Sequence, residues 1–124
     1  MKPLYTLTGT VKIGAKRGKE FGYPTANVSL ESHIPAGVYA AQVSIDSTIY
    51  NAATFIGAAV TFGDKEYKSE SYILDFEQDI YGTEIVINLY KKLRDNANFA
   101  NEHDLIEQMG KDVLMTRSFF DNVS

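Results

Sequence analysis

A closed antiparallel β-barrel with one terminal helix laid against it is the fold this sequence predicts. Three observations predict it. Segments rich in Val, Ile, Thr, Tyr and Phe recur from Leu4 to Lys91, separated by short runs of Gly, Pro, Asp and Ser. No strand pattern alternates with a helical one, which sets aside a doubly wound parallel sheet. After Arg94 the period changes, and apolar Leu105, Met109 and Val113 return every four positions.

Each element follows from local chemistry. Leu4 to Lys12 reads as the first strand. Gly14 to Gly22 reads as a loop, because Gly14, Gly18 and Gly22 punctuate polar residues. Thr25 to Leu30 alternates, with Ala26, Val28 and Leu30 on one face and Thr25, Asn27 and Ser29 on the other. "HIPAG" (His33 to Gly37) is a turn. Val38 to Ile45 and Thr48 to Ile56 form a hairpin across Asp46-Ser47. "GDKE" is a further turn. Tyr67 to Phe76 and Glu84 to Lys91 are two longer strands joined by "EQDIYG". Asn101 is the expected N-cap of the helix, and Glu102 and Asp104 suit the positive end of its dipole. Ile106 and Phe120 extend its apolar stripe, while Lys111 and Arg117 fall toward its other end.

At 124 residues the chain is expected to be one domain, residues 1–124, large enough to bury a core. A net charge of −4 weighs against a nucleic-acid-binding surface over the whole domain. The absence of cysteine excludes thiol catalysis, disulfides and cysteine-ligated metals, and fits a reducing compartment. "MKPLYTLTGTV" has no signal-peptide core and no apolar run reaches membrane-spanning length, so a cytoplasmic protein with no membrane partner is expected.

Three features could carry chemistry. Lys12, Lys16, Arg17 and Lys19 form a positive run with no acid among them, and the interleaved glycines bring backbone N–H groups within reach of a phosphate. The run matches no Walker A pattern, and solvated lysines on a hairpin loop explain it as well. Thr25 and Asn27 stand two residues apart on one strand face, where a hydroxyl and an amide could hold Mg²⁺ and a phosphate oxygen. A half-exposed strand shows the same pattern without function. Glu70 shares its strand face with Tyr72, Leu74 and Phe76, a setting that suits a general base. The competing reading is a glutamate on an edge strand at the sheet rim, paired with a lysine. Asp75, Glu77 and Asp79 read as turn and surface residues. His33 and His103 lie far apart and receive no metal role.

Taken in order, Gly9-x-Val11-x-x-Gly14, Gly18-Lys19 and Gly22-Tyr23-Pro24-Thr25-Ala26-Asn27 make a pattern. It continues through Gly37-Val38-Tyr39, Ile56-Gly57, Thr61-Phe62, Glu70 with Ile73-Leu74-Asp75-Phe76, Asp79-Ile80-Tyr81-Gly82, Leu93-Arg94, Phe99, Leu105 and Asp112. The whole resembles riboflavin kinase (flavokinase), in the form found as the C-terminal half of bacterial bifunctional FAD synthetase, over nearly the full chain. The resemblance implies a six-stranded Greek-key barrel. It implies transfer of the γ-phosphate of ATP, with Mg²⁺, to the ribityl 5′-hydroxyl of riboflavin, giving FMN and ADP. Gly14, Lys16, Gly18, Lys19, Gly22 and Pro24 would then belong to a phosphate-binding flap, with Thr25 and Asn27 holding metal and phosphates. Asn27 would share the catalytic role with Glu70, the base. Arg94 and the loop through Phe99 would form a second flap beside the flavin. FAD synthesis would be left to an adenylyltransferase domain or a separate enzyme.

The chain departs from the family at three places. Lys19 stands where Arg is common, Tyr72 where many members have His, and Val60 where Pro usually precedes Thr61-Phe62. Those replacements motivate a second reading, a non-catalytic flavin- or nucleotide-binding barrel used as a carrier or regulatory module. An oligonucleotide-binding barrel is a third, which the acidic balance and scattered aromatics disfavour.

Overall fold

The computed structural model describes residues 1–12, 25–30, 33–58 and 67–123. Six antiparallel strands run in the spatial order β1-β6-β3-β4-β5-β2. They are β1 (Tyr5–Thr10), β2 (Ala26–Ser29), β3 (Gly37–Ile45), β4 (Thr48–Gly57), β5 (Lys68–Ile73) and β6 (Glu84–Arg94), followed by helix α1 (Glu102–Val123). Strands β3, β4 and β5 meander, and β6 returns to lie beside β3, which is the Greek-key order.

The hairpin between β3 and β4 is as expected. Asp46 and Ser47 both take positive φ (47° and 71°), the geometry whose twist matches the flanking strands. The other strands differ from expectation mainly at their ends. β5 stops at Ile73 because Leu74 and Asp75 turn, with Asp75 at φ 58°. Phe76, beyond the turn, does not continue the face of Glu70 and packs on Tyr50 at 4.8 Å between ring centroids, whereas buried Leu74 still takes the next ladder position, its N–H donating to the Asn51 carbonyl at 2.9 Å. β5 lies between β2 and β4, so Glu70 is not on an edge strand. β6 runs three residues past the expected end, through two register shifts against β3. Tyr90 is the extra residue at the first shift and Leu93 at the second, so Arg94 arrives opposite Val38.

Alternation sorts the two faces. Inward lie Ala26, Val28, Tyr39, Ala41, Val43, Ile56, Ile73, Ile85, Ile87 and Leu89, all buried. Buried hydroxyls on this side are satisfied locally: Thr54 and Ser71 share a 2.8 Å hydrogen bond, and Ser69 donates to the Val28 carbonyl at 3.0 Å. Residues of opposite parity face outward, and α1 covers those of β4, β3 and β6.

The helix departs from its expected stripe. Its buried line is Asp112, Thr116 and Phe120, while Leu105, Met109 and Val113 are only half-buried. Asn101 does cap it, accepting from the Asp104 N–H at 2.9 Å. No basic residue sits in the last turn; Arg117 reaches Asp75 and Lys111 lies 3.7 Å from Glu107.

The sheet closes where β1 meets β2. The Lys12 N–H donates to the Asn27 carbonyl at 2.8 Å, and Lys12 Nζ donates to Ser29 Oγ at 3.0 Å. This approach requires glycine at position 9, since a Cβ there would lie 2.5 Å from Val28 Cγ1. Gly9→Ala should destabilise the fold by about 1–3 kcal/mol, the usual cost of forcing an atom into a packed interior. Adding Val28→Ala should restore part of the loss in a double-mutant cycle read by urea denaturation. Strictly additive effects would mean that the two side chains do not meet.

Candidate active site

The registers align the candidate residues in one transverse row. Lys12 pairs with Asn27, Asn27 with Glu70, Glu70 with Phe55, Phe55 with Val38, and Val38 with Arg94. Directly paired residues share a face, and this face is the outer one, opposite Val28, Ser69 and Tyr39. Asn27 and Glu70 thus stand side by side, with Cβ atoms about 4.5–5.5 Å apart.

Asn27 is the unusual member. It is an amide on the outer face, yet only 7% exposed. Its Nδ2 donates to the Thr25 carbonyl at 3.3 Å, while its buried Oδ1 has no hydrogen-bond partner among the described residues. A buried acceptor left so costs about 1–3 kcal/mol. A divalent cation that prefers oxygen ligands, beside the Thr25 hydroxyl, fits this orphaned oxygen. Glu70 is half-buried next to it.

Thr25 also lines a cleft at one end of the barrel, together with Val11, Ser71 and the 76–81 segment. The cleft holds roughly 160 Å³.

Arg94 and Phe99 form a second group on the same face. Three strand spacings, about 14 Å, separate Arg94 from Glu70 along the sheet. The Arg94 guanidinium is held by the helix: Nε and one Nη donate to the two Asp112 carboxylate oxygens, each at 2.7 Å. The other Nη donates to the Asp95 carbonyl at 3.1 Å, and the guanidinium carbon lies 5.9 Å from the Phe99 ring centre. Lys92 pairs with Asp95, and that hydrogen bond raises the lysine pKa and lowers the carboxyl pKa. Asp112 belongs to the family pattern read from the sequence, but nothing in that pattern gives it a role; its only signal is an acid inside an apolar stripe.

The remaining expected phosphate-binding residues, Gly14, Lys16, Gly18, Lys19, Gly22 and Pro24, lie outside the described residues, as do the "GDKE" turn and the Val60-Thr61-Phe62 run. Among the described residues, His103, Asp104 and Glu107 bring three ligand-type atoms together at the exposed start of α1, and nothing else there points to a metal. No helix among the described residues is long and apolar enough to cross a membrane.

Comparison with known proteins gives a concordant picture. Residues 1–120 match the model of the flavokinase (riboflavin kinase) family. The bifunctional riboflavin kinase/FMN adenylyltransferase of Listeria monocytogenes is 41% identical, over 94% of this chain and 38% of its own. Its Bacillus subtilis counterpart is 38% identical, over 96% of this chain and 40% of its own. The chain therefore spans about two fifths of the length of these relatives. The crystal structure of riboflavin kinase from Trypanosoma brucei shares the fold, with a TM-score of 0.68 at 24% identity, over 99% of this chain and 83% of that one.

The turn that leads from β5 into the cleft segment is tied to the helix by charge. Arg117 donates to both Asp75 oxygens at 3.1 Å, and these hydrogen bonds, with the guanidinium charge, hold the Asp75 carboxyl below the usual aspartate range. A depressed folded pKa means the contribution is complete above the unfolded value and fades as pH falls through the folded one. Both groups are well exposed, so the gain is small and salt-sensitive. An NMR titration should find the Asp75 midpoint below that of free aspartate, and Arg117→Ala should move it back up. An unmoved midpoint would mean that the pair does not form in solution.

Proposed function

This chain belongs to the riboflavin kinase family, and from that premise we propose that it transfers the γ-phosphate of ATP to the 5′-hydroxyl of the ribityl tail of riboflavin, giving FMN and ADP. The observation that carries this reading is the Asn27–Glu70 pair, in which a buried side-chain amide oxygen, unpaired among the described residues, stands beside a carboxylate on one sheet face. Phosphoryl transfer asks for this combination, because positioning and charge neutralisation do most of the work.

Glu70 takes the hydroxyl proton as the riboflavin oxygen bonds to phosphorus. The bond from phosphorus to the bridging oxygen breaks, and ADP leaves with that electron pair. Thr25 and Asn27 hold a divalent cation, assigned as Mg²⁺, which supplies neutralising charge to the phosphates when bound. Lys12, at the row's end beside Asn27, adds positive charge on that side. Arg94 and Phe99 are assigned to the flavin, three strands away, a distance of the order of an extended sugar-alcohol tail. The basic Gly14–Gly22 segment, with Lys16 and Lys19, is assigned to the phosphates on the strength of its lysines and glycines.

The names of the relatives also include FMN adenylyltransferase. Residues 1–120 match the kinase family, so we assign FMN formation alone to this chain, within a single kinase domain over 1–124. FAD would require an adenylyltransferase domain or a separate enzyme. A cytoplasmic setting, where ATP is plentiful, accords with the lack of cysteine.

Incubation with riboflavin, ATP and Mg²⁺, followed by chromatography of the flavins, should yield FMN, and chelation of the metal should stop it. No FMN at high protein concentration overturns the assignment; tight flavin binding without turnover would mark a binding barrel instead. Glu70→Gln should lower kcat by about 10²–10⁴-fold, the usual contribution of a general base, and leave residual turnover. Asn27→Ala should cost more. An unchanged rate in Glu70→Gln would remove the base role and nothing else.

A further inference from the structure

We propose that Asp112, a helix residue remote from the reacting atoms, is a positioning residue that sets riboflavin affinity by fixing Arg94 and the 95–101 loop. The inference rests on the kinase reading and deepens it at the flavin end.

Asp112 is 5% exposed, and its carboxylate and carbonyl are both engaged. The carboxylate takes the Arg94 fork at 2.7 Å on both oxygens, and Oδ1 also accepts from Gln108 Nε2 at 3.0 Å. The carbonyl accepts from Thr116 Oγ1 at 2.9 Å. The guanidinium plane therefore has one orientation, since a bidentate fork removes both swing and twist. That orientation turns the remaining nitrogen toward the Asp95 carbonyl, the first link of the loop, and brings the guanidinium close to the Phe99 ring.

The loop is held at other points too. Asn96 Nδ2 donates to the Ile56 carbonyl at 3.0 Å. It occupies the place where a Cβ on Gly57 would lie, 2.5 Å away, and Gly57 has φ 144°. Asn101 ends the loop by capping α1. Between these anchors only residues 97–100 remain, and Phe99 is the one large side chain among them. Its place over Arg94 thus depends on a guanidinium whose orientation Asp112 fixes. A carboxylate in the helix reaches the flavin end in two steps, through Arg94 to Phe99.

Asp112→Asn keeps the shape of the side chain but removes its charge and one acceptor oxygen. Steady-state kinetics on the whole chain, with riboflavin and ATP varied separately, should show KM for riboflavin rising about 10-fold or more while KM for ATP stays within about two-fold. Hydrogen exchange read by mass spectrometry should show the 95–101 amides exchanging faster and the β3 and β4 amides unchanged. Two KM values that stay put, or rise together, overturn the proposal, as does unaltered exchange in the loop. If Asp112→Asn does not fold, Asp112→Glu, which shifts the carboxylate by one methylene, is held to the same split. Failure of the wild-type chain to make FMN would sink the kinase reading, whereas the exchange measurement still judges whether Asp112 holds the loop.

Discussion

The seam between β1 and β2 is the constraint on which the site depends. The Asn27 carbonyl accepts from Lys12 on one side, while the β2–β5 ladder pairs Asn27 with Glu70 on the other. Held from both sides, the strand cannot slip or roll, and a slip of one residue would turn Asn27 inward and Val28 out. Among the described residues one bridge, Lys12 with Asn27, draws the two end strands of the sheet together. The contact that permits it is small: a glycine, where any larger residue would strike Val28.

With the interior filled, the proposed chemistry falls to the outer face and to the cleft at one end of the barrel. Among the described residues the interior is filled by branched aliphatics and by hydroxyls that bond to their neighbours, which leaves no open acceptor there for a ligand. The outer face differs. Its covered part, under α1, holds Val38, Ala40 and Ala53, small or aliphatic residues that let a helix lie close. Its other part carries Asn27 and Glu70. A buried oxygen unpaired among the described residues is a cost that an amide pointing to solvent would avoid, and it stands beside the one carboxylate of the row. A site that gains its missing partner on binding turns this cost into affinity.

The strands were legible because their alternation and their turns agree: Asp46-Ser47 both supports the hairpin and sets its register. The capping of α1 by Asn101 was equally readable from residue type. Three things were not. Periodicity puts Glu70 and Asn27 on faces of their own strands, but only pairing partners reveal that the two faces are one and that they meet. The extension of Glu70's face as far as Phe76 failed because Asp75 adopts positive φ, which an aspartate permits without announcing it. The position of Arg94 was hidden by two bulges, each adding a residue that no alternation count distinguishes from ordinary strand. The helix misleads in a related way. Its apolar stripe predicts the buried line, yet the innermost line runs through Asp112, because Arg94 stands where the helix meets the sheet.

That last mismatch bears on why an ion pair sits there at all. Burying a carboxylate and a guanidinium costs several kcal/mol per ion, and well-packed apolar residues of similar volume often give equal or greater stability. Stability alone would favour apolar residues at both 94 and 112, the latter continuing the stripe of Leu105, Met109 and Val113. A leucine at 112 alone would leave the guanidinium without its carboxylate, at a cost in stability, and free to turn. What the pair contributes is direction: two 2.7 Å hydrogen bonds in one plane determine where the third nitrogen and the flat face of Arg94 point. Because Arg94 shares a sheet face with Asn27 and Glu70, that direction is referred to the same rigid frame as the proposed base and metal-holding oxygen. An enzyme whose catalysis is mainly placement needs both ends of a long substrate referred to one frame, and a buried ion pair at the junction of helix and sheet supplies that reference for the far end.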